Sequence, residues 1–201
     1  MHESSPPADG LGRPDEARAF LERHPDIEAV QLVITDLNGV GRGKNVAREE
    51  LDAFYGSGRN VAGSILGLDV TGEDVEDTGL VWSVGDADQC CRPVAGTLAR
   101  ASWLARPTAQ VLGTMFELDG RPAKADPRHV LARVSAQLQE RGYTPVVAVE
   151  LEFYLLERDG DGRVRPARGL LSGARSDRIE AYGLGRLDAM SPLFDELYAA
   201  A

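Results

Sequence analysis

Short apolar runs separated by turn-forming residues dominate the chain up to about residue 118. Val30, Leu32 and Ile34 alternate with other residues, which is the pattern of a strand with one buried face. The dipeptide Asn38-Gly39 follows them and suits the positive φ angles of a tight hairpin turn. Further apolar runs recur in SILGLDV, GLVWSV, PVAGTLARASW and AQVLGTMFEL. The pattern therefore predicts a small sheet with flanking helices over residues 27 to 118.

Two helices are indicated by their start and stop signals. Pro14 opens the segment PDEARAFLERH, and Pro25 ends it. Farther along, Asp126 is a good N-cap and Pro127 suits the first helical position. Gly142 suits the residue just beyond the end of that second helix.

The chain is expected to contain three parts. Residues 1–13 combine Pro, Gly, Ser and charge without apolar periodicity, which predicts a disordered tail. Residues 14–118 form a first domain, and the turn at Asp119-Gly120 marks its end. Residues 119–201 hold too few elements to enclose a core alone, so we expect a longer protein or a partner to complete them.

Composition excludes several functional classes. No part of the chain reaches the roughly 18 consecutive apolar residues of a membrane span, and MHESSPPADG lacks a secretion signal. We therefore expect a cytoplasmic protein without membrane contact. The net charge of -10 argues against nucleic-acid binding, which relies on clustered Lys and Arg. The adjacent Cys90 and Cys91 suit neither an ordinary disulfide nor a spaced zinc site, so we interpret them as reduced.

The segment PVVAVELEFYLLE has the length and alternation of a long strand. Glu150, Glu152 and Tyr154 would share one face of that strand, opposite an apolar face. Two such carboxylates, about 7 Å apart, could ligate Mg²⁺ or Mn²⁺ and leave positions open for a substrate phosphate. The alternative is a half-exposed strand whose outer face is merely charged.

Several separated segments resemble the glutamine synthetase family, in the order in which that family has them. They are VITDLNGVGRGKNV, GDADQCCRPVAGTLARASWL, ADPRHVLARV and VAVELEFYLLE. The Glu-x-Glu-Phe element is among the most recognisable of the family, and each of its glutamates is a metal ligand there. Carried over, the resemblance assigns metal binding to Glu150 and Glu152.

The resemblance implies an α+β fold in which a β-grasp-like N-terminal domain precedes the beginning of a catalytic domain. It also implies a ring-shaped homo-oligomer whose active sites are shared between neighbouring subunits. The implied reaction joins glutamate to ammonia or an amine, with ATP as the second substrate and γ-glutamyl phosphate as the intermediate. The remaining metal ligands of the family lie beyond the position matching Ala201, so this chain alone is expected to be inactive.

One departure from the family bears on the substrate. Ammonia-using members carry an Asp-Gly-Ser-Ser segment, whereas this chain reads VAGSILGLD, with Ala62 at the position of that Asp. An ammonium site without its carboxylate binds its cation poorly, which favours the branch resembling γ-glutamylpolyamine synthetases. Ser64 and Asp69 are the candidate substrate-binding residues here, and the alternative for Asp69 is an ordinary turn carboxylate.

Other functions and sites compete with these interpretations. A non-catalytic oligomerisation or regulatory module of the same fold is the alternative to a ligase. DLNGVGRGK has the wrong spacing for a phosphate-binding loop, although Arg42 and Lys44 could face a ring neighbour. No zinc site is predicted, and His129 is interpreted as a surface residue. Trp82 and Trp103 are interpreted as core or interface residues.

Overall fold

The structure is a computed structural model that describes residues 10–176, 178 and 181–200. The chain divides into two compact units, Met1–Pro145 and Val146–Ala201. The first unit contains a six-stranded sheet with helices, and the second contains a two-stranded hairpin with two further helices. The fold is therefore a mixed α and β fold, as predicted, while the narrower β-grasp assignment stays a prediction.

The first unit is built around one mixed sheet. Its strands are β1 (Ala29–Thr35), β2 (Gly41–Ala47), β3 (Arg59–Ala62), β4 (Asp88–Pro93), β5 (Ala99–Arg100) and β6 (Thr108–Phe116). Its helices are α1 (Pro14–Arg23), α2 (Leu51–Ser57) and α3 (Pro127–Glu140), with 3₁₀ turns at Arg48–Glu50, Gly63–Leu66, Glu76–Thr78 and Trp82–Val84. The strand order is β2-β1-β6-β4-β3, and β5 also pairs with β6. The β1–β6 pair is parallel and the other pairs are antiparallel.

One face of this sheet forms the core of the unit. Val30, Leu32 and Ile34 are all buried, which confirms the strand predicted from their alternation. Phe20 of α1 and Phe54 of α2 belong to the same cluster. Because each fully buried side chain of this size stabilises the fold by about 1.5–3 kcal/mol, the helices are held to the sheet by this face.

The predicted hairpin at Asn38-Gly39 is present, but its connection is longer than a two-residue turn. It covers residues 36–40 between β1 and β2. Asp36 Oδ1 accepts hydrogen bonds from the backbone N–H groups of Asn38 (2.8 Å) and Val40 (2.9 Å). Within residues 36–40, only Gly39 has a positive φ, +77°. Backbone hydrogen bonds and the Asp36 side chain together close the loop, since Gly39 N also donates to the Asp36 carbonyl and Asp36 N donates to the Val40 carbonyl.

The predicted α3 helix is confirmed at both ends. Asp126 caps it by accepting a hydrogen bond from Arg128 N at 2.7 Å. Gly142 follows its end and donates to the carbonyl of Gln139. The capping carboxylate also binds strand β6, since its Oδ2 atom accepts from Met115 N at 2.6 Å.

His129 is half-buried, so its interpretation as a surface residue holds only in part. Its Nε2 atom lies 2.8 Å from the carbonyl oxygen of Met115 and 3.1 Å from Thr114 Oγ1. Its ring also packs edge-on against Phe116, with centroids 4.9 Å apart. The first turn of α3 lies against β6, which shields part of this side chain from solvent.

The limits of the predicted parts differ from those of the compact units. Residues 1–9 of the predicted tail lie outside the described residues, whereas Leu11 is buried and forms an antiparallel bridge with Val94. Helix α3 lies in the first compact unit, although it follows the break predicted after residue 118. The assignment of 14–118 and 119–201 as domains stays a prediction, because compactness alone does not identify a catalytic domain.

The second unit contains β7 (Leu156–Arg158), β8 (Val164–Pro166), α4 (Leu184–Ala189) and α5 (Ser191–Ala200). The long strand predicted over residues 145–157 is wrong for most of its length, because 143–155 have no regular structure. A strand depends on hydrogen bonds to a neighbour, and within the described residues no strand pairs with this segment. Residues 159–162, DGDG, form the turn between β7 and β8, and Asp159 Oδ1 accepts from two backbone N–H groups there.

No helix in the described part of the chain has the length and apolar character needed to cross a bilayer.

Replacing Asp126 by alanine should lower the free energy of unfolding of the first unit by about 2–4 kcal/mol. The change removes the helix cap and leaves the N–H of Met115 and the hydroxyl of Thr114 without their acceptor. Urea unfolding followed by circular dichroism measures the difference. Asp119→Ala, in an exposed turn, is the matched control, and equal stability of the two variants would contradict the role given to Asp126.

Replacing Gly43 by alanine should destabilise the β1–β2 hairpin by about 2 kcal/mol or more. A Cβ atom at this position would lie 1.7 Å from the carbonyl oxygen of Leu32, so the backbone of the pair would have to separate. Gly41→Ala on the same strand is the control, because its new Cβ would meet only a Val33 methyl group at 3.3 Å. Thermal melts of both variants that coincide with the parent would show that the strands do not approach this closely.

Candidate functional site

Glu150 and Glu152 lie in the irregular segment 143–155, and both side chains are exposed. Their oxygen donors suit a hard cation in chemical type, but two carboxylates supply only part of the coordination shell that Mg²⁺ requires. Among the described residues, no group of three or more His, Cys, Asp or Glu side chains is arranged to hold a metal ion. The assignment of both glutamates as metal ligands therefore stays a prediction.

Ala62 and Ser64 lie where strand β3 runs into the 3₁₀ turn Gly63–Leu66. Both residues are half-buried. The turn is fixed at its start because Gly63 N donates to the carbonyl of Ala87 at 2.9 Å, and at its end because Gly67 N donates to that of Ser64 at 2.7 Å. The structure thus presents Ser64 on a short, well-anchored turn at the end of the sheet.

Asp69 is the turn carboxylate that the sequence left as an alternative. Its Oδ1 atom accepts from Thr71 N, Thr71 Oγ1, Gly72 N and Glu73 N at 2.7–2.9 Å. The hydrogen bonds from the Thr71 side chain and the Glu73 backbone hold the pKa of this carboxyl below its usual value. The ionised side chain organises its own loop, and a further contact of Asp69 with substrate stays a prediction.

The hairpin tip between β1 and β2 contacts this loop directly. Arg42 donates from Nη2 to the carbonyl oxygen of Asp69 at 2.6 Å, and Asn38 donates from Nδ2 to that of Leu68 at 2.7 Å. Arg42 also forms an ion pair with the buried Asp36, with Nε and Oδ2 2.9 Å apart. The interpretation of Arg42 as facing a ring neighbour is not supported, since its guanidinium is engaged within the chain.

Burial raises the pKa of the Asp36 carboxyl, but hydrogen bonds from Arg42, Val40 and Asn38 outweigh burial and leave the pKa below its usual value. The carboxylate is thus ionised beneath the hairpin tip. Sequence reasoning missed this pair. The sequence signal for it is Asp36, which directly follows the alternating apolar residues of β1, together with Arg42 six positions later on β2.

A buried amide lies beneath the other side of the Ser64 turn. Gln89 of β4 is opposite Val61 of β3 and packs under Gly63. Its Nε2 atom donates to Glu117 Oε1 at 3.3 Å, while its Oε1 atom is buried and has no hydrogen-bond partner among the residues that the structure describes. Next to it, burial raises the pKa of the Cys91 thiol, which fits its interpretation as a reduced, unreactive side chain.

The segment from Gly67 to Asp88 carries seven carboxylates and no Lys or Arg. The acidic residues are Asp69, Glu73, Asp74, Glu76, Asp77, Asp86 and Asp88. Trp82 in the same segment is 72% exposed, and Trp103 elsewhere is 59% exposed, so neither is a core residue. The segment therefore combines a negative potential with an exposed aromatic ring, and an interface role for either tryptophan stays a prediction.

A shallow groove of about 440 Å³ lies on the outer face of β1, β2 and β6. Gln31 and Gln110 line it and are hydrogen bonded to each other at 2.8 Å. Arg42 and Lys44 also line it, whereas Ser64, Asp69, Glu150 and Glu152 do not.

Comparison with known proteins identifies a family. Residues 124–201 match the sequence profile of the glutamine synthetase catalytic domain. γ-Glutamylputrescine synthetase PuuA of Escherichia coli strain K12 is 35% identical over 184 residues, which are 90% of this chain and 39% of that protein. Glutamate–isopropylamine ligase of a Pseudomonas species is 34% identical over 143 residues, which are 69% of this chain and 30% of that protein.

A solved structure agrees at the level of the fold. The crystal structure of a novel glutamine synthase homologue has a TM-score of 0.50 and 22% identity, and the match covers 57% of this chain and 27% of that one. The chain spans two fifths or less of the length of the two curated relatives. Together with the catalytic-domain match, these similarities confirm the resemblance found in the sequence: the chain belongs to the glutamine synthetase family.

Proposed function

We propose that this sequence is part of an ATP-dependent ligase that joins the γ-carboxyl group of glutamate to an amine. In the proposed reaction, a γ-carboxylate oxygen attacks the terminal phosphorus of ATP and ADP leaves. The amine nitrogen then attacks the acyl carbon of γ-glutamyl phosphate, loses a proton and displaces phosphate. A polyamine-type amine is favoured over ammonia as the acceptor. The observation that carries this choice is Ala62, at the position to which the family resemblance assigns the aspartate of ammonia-using members.

The environment of Ala62 supports an acceptor larger than ammonium. A small cation loses its hydration on entering a site and needs a nearby carboxylate in exchange, which a methyl group cannot supply. An alkyl amine brings apolar methylene groups that can contact Ala62 and the neighbouring Ile65, both half-buried. The two curated relatives described above are named for putrescine and isopropylamine, which are amines of this kind.

Electrostatics favour the same class of acceptor. The seven carboxylates between Gly67 and Asp88 lie in the segment that continues from the Ser64 turn. A surface of one sign raises the local concentration of ligands of the opposite sign and speeds their association. A protonated diamine or triamine therefore gains more from this segment than ammonium does.

Glu150 and Glu152 are proposed to hold Mg²⁺ or Mn²⁺ in this ligase. A bound divalent cation supplies neutralisation of charge on the transferred phosphoryl group. The two glutamates act by binding and placement and are not nucleophiles. Their alternation puts both carboxylates on one face once the segment 143–155 pairs with neighbouring strands.

The assembly and the finer fold are proposed with the function. The parallel β1–β6 pair beside the β1–β2 hairpin supports a β-grasp-like N-terminal domain. The exposed apolar side chains of the segment 143–155, such as Val146 and Phe153, support burial against further structure. We further propose a cytoplasmic ring of identical subunits that shares its active sites between neighbours.

The complete gene product that contains this sequence should prefer polyamines to ammonium. We expect kcat/KM with putrescine or spermidine to exceed that with ammonium by about tenfold or more. The reason is that ammonium lacks one ionic contact, because Ala62 offers it no carboxylate. Ala62→Asp should narrow this ratio by improving the use of ammonium, whereas Ala53→Asp, an exposed alanine in α2, should leave the ratio unchanged. γ-Glutamyl amide formation with ammonium, putrescine, spermidine and ethanolamine is measured by mass spectrometry, and equal use of all four would contradict the proposal.

Glu150→Ala and Glu152→Ala should each lower amide formation by the same protein at least about a hundredfold. Each change removes one oxygen ligand from a cation that has few protein ligands to lose. The oligomeric mass should be unaffected, and Mn²⁺ binding measured by electron paramagnetic resonance should weaken. Glu140→Ala, at the exposed end of α3, is the control. Full activity in both variants would remove the two glutamates from the metal site.

A further inference from the structure

The loop that follows the Ser64 turn is closed on itself. Asp69 N donates to the carbonyl of Glu73 at 2.8 Å, and Val75 N donates to that of Gly67 at 3.1 Å. Four hydrogen bonds to Asp69 Oδ1 fix the residues between them. The position of Asp69 therefore determines the position of the whole loop from Gly67 to Val75.

Two hydrogen bonds from the β1–β2 hairpin tip hold this loop at consecutive carbonyl groups. Asn38 binds the Leu68 carbonyl and Arg42 binds that of Asp69. The partners are 30 and 27 residues apart along the chain, so this brace joins two separate parts of the unit. Asn38 is also fixed, because its backbone N–H donates to the carboxylate of Asp36.

The buried carboxylate of Asp36 orients the guanidinium of Arg42. Asp36 has a fully buried side chain, and its Oδ2 atom binds Arg42 Nε. The Arg42 side chain is only 18% exposed, and its Nη2 atom reaches Asp69 while Nε stays on Asp36. A planar guanidinium can bind both acceptors at once in this way, whereas the compact ammonium of lysine has no second donor group at that separation.

The ion pair has an electrostatic consequence as well. An unpaired arginine beside the acidic segment would repel a cationic ligand, and it would attract the carboxylates of that segment. The buried Asp36 compensates the charge of Arg42 within 2.9 Å. The brace thus holds the loop without reducing the negative potential of the segment.

We propose that Arg42 is a positioning residue for amine recognition: its contact with the Asp69 carbonyl sets where the Gly67–Val75 loop stands beside Ala62 and Ser64. This inference rests on the proposed function, since it assigns the amine to that part of the molecule. Arg42 acts through the loop and does not touch the reacting atoms. Asn38 assists it from the same hairpin tip.

Arg42→Lys in the complete gene product tests the proposal. We expect KM for the amine to rise about tenfold, because one charge-assisted hydrogen bond is lost while the charge remains. The KM values for glutamate and ATP should stay within about twofold of the parent, because the variant retains a cation beside Asp36. Asn38→Ala, a milder change at the tip, should raise KM for the amine in the same direction. Arg18→Lys, in the exposed pair with Asp52, is the matched control and should change none of these constants.

Hydrogen exchange on the 201-residue chain provides a second readout that needs no activity. The amides of Thr71, Gly72 and Glu73 should exchange faster in Arg42→Lys than in Arg18→Lys, because the loop has lost its attachment. Unchanged exchange, or an unchanged KM for the amine, would overturn the positioning role. An equal rise in all three KM values with a lower melting temperature would overturn it too, since Arg42 would then serve stability alone. A parent enzyme that forms no γ-glutamyl amide would instead refute the proposed function, which the exchange experiment does not test.

Discussion

Strand β6 is the constraint on which the first unit depends. It pairs with β1 on one side and with β4 and β5 on the other, so it joins both halves of the sheet. Its inward side chains Ala109, Val111 and Met115 are fully buried in the core. Strand β4 ends 15 residues before β6 begins, and β1 lies much farther back along the chain. The sheet therefore forms only when distant segments of the chain meet.

The C-terminal end of β6 also fixes the helix that follows. Asp126 binds the backbone and the Thr114 hydroxyl at that end, and His129 adds a contact one turn later. The capping carboxylate therefore performs two tasks, since it begins α3 and attaches it to the sheet. This explains why α3 lies with the first compact unit even though the sequence places a break before it.

Local signals predicted the parts of the fold that local physics determines. The alternation of β1, the hairpin and the cap of α3 each depend on residues within a few positions, and each is present in the structure. The segment 145–157 has equally clear alternation, yet it forms a strand only at its end, because strand formation also requires a neighbour. The brace between Arg42 and Asp69 could not be predicted in the same way, since it joins residues 27 positions apart through a side chain and a carbonyl. For the candidate site, the sequence identified Ser64 and Asp69 as candidates but not what holds them in place.

The uncovered segment 143–155 also affects how the chain behaves in solution. Val146, Val149 and Leu151 are more than four-fifths exposed, and a run of β-forming apolar residues without a partner is a nucleus for self-association. Glu150 and Glu152 interrupt this run with like charges, which is how natural sequences protect such stretches from aggregation. The same two carboxylates therefore place like charges inside the stretch of exposed apolar side chains that is most prone to self-association.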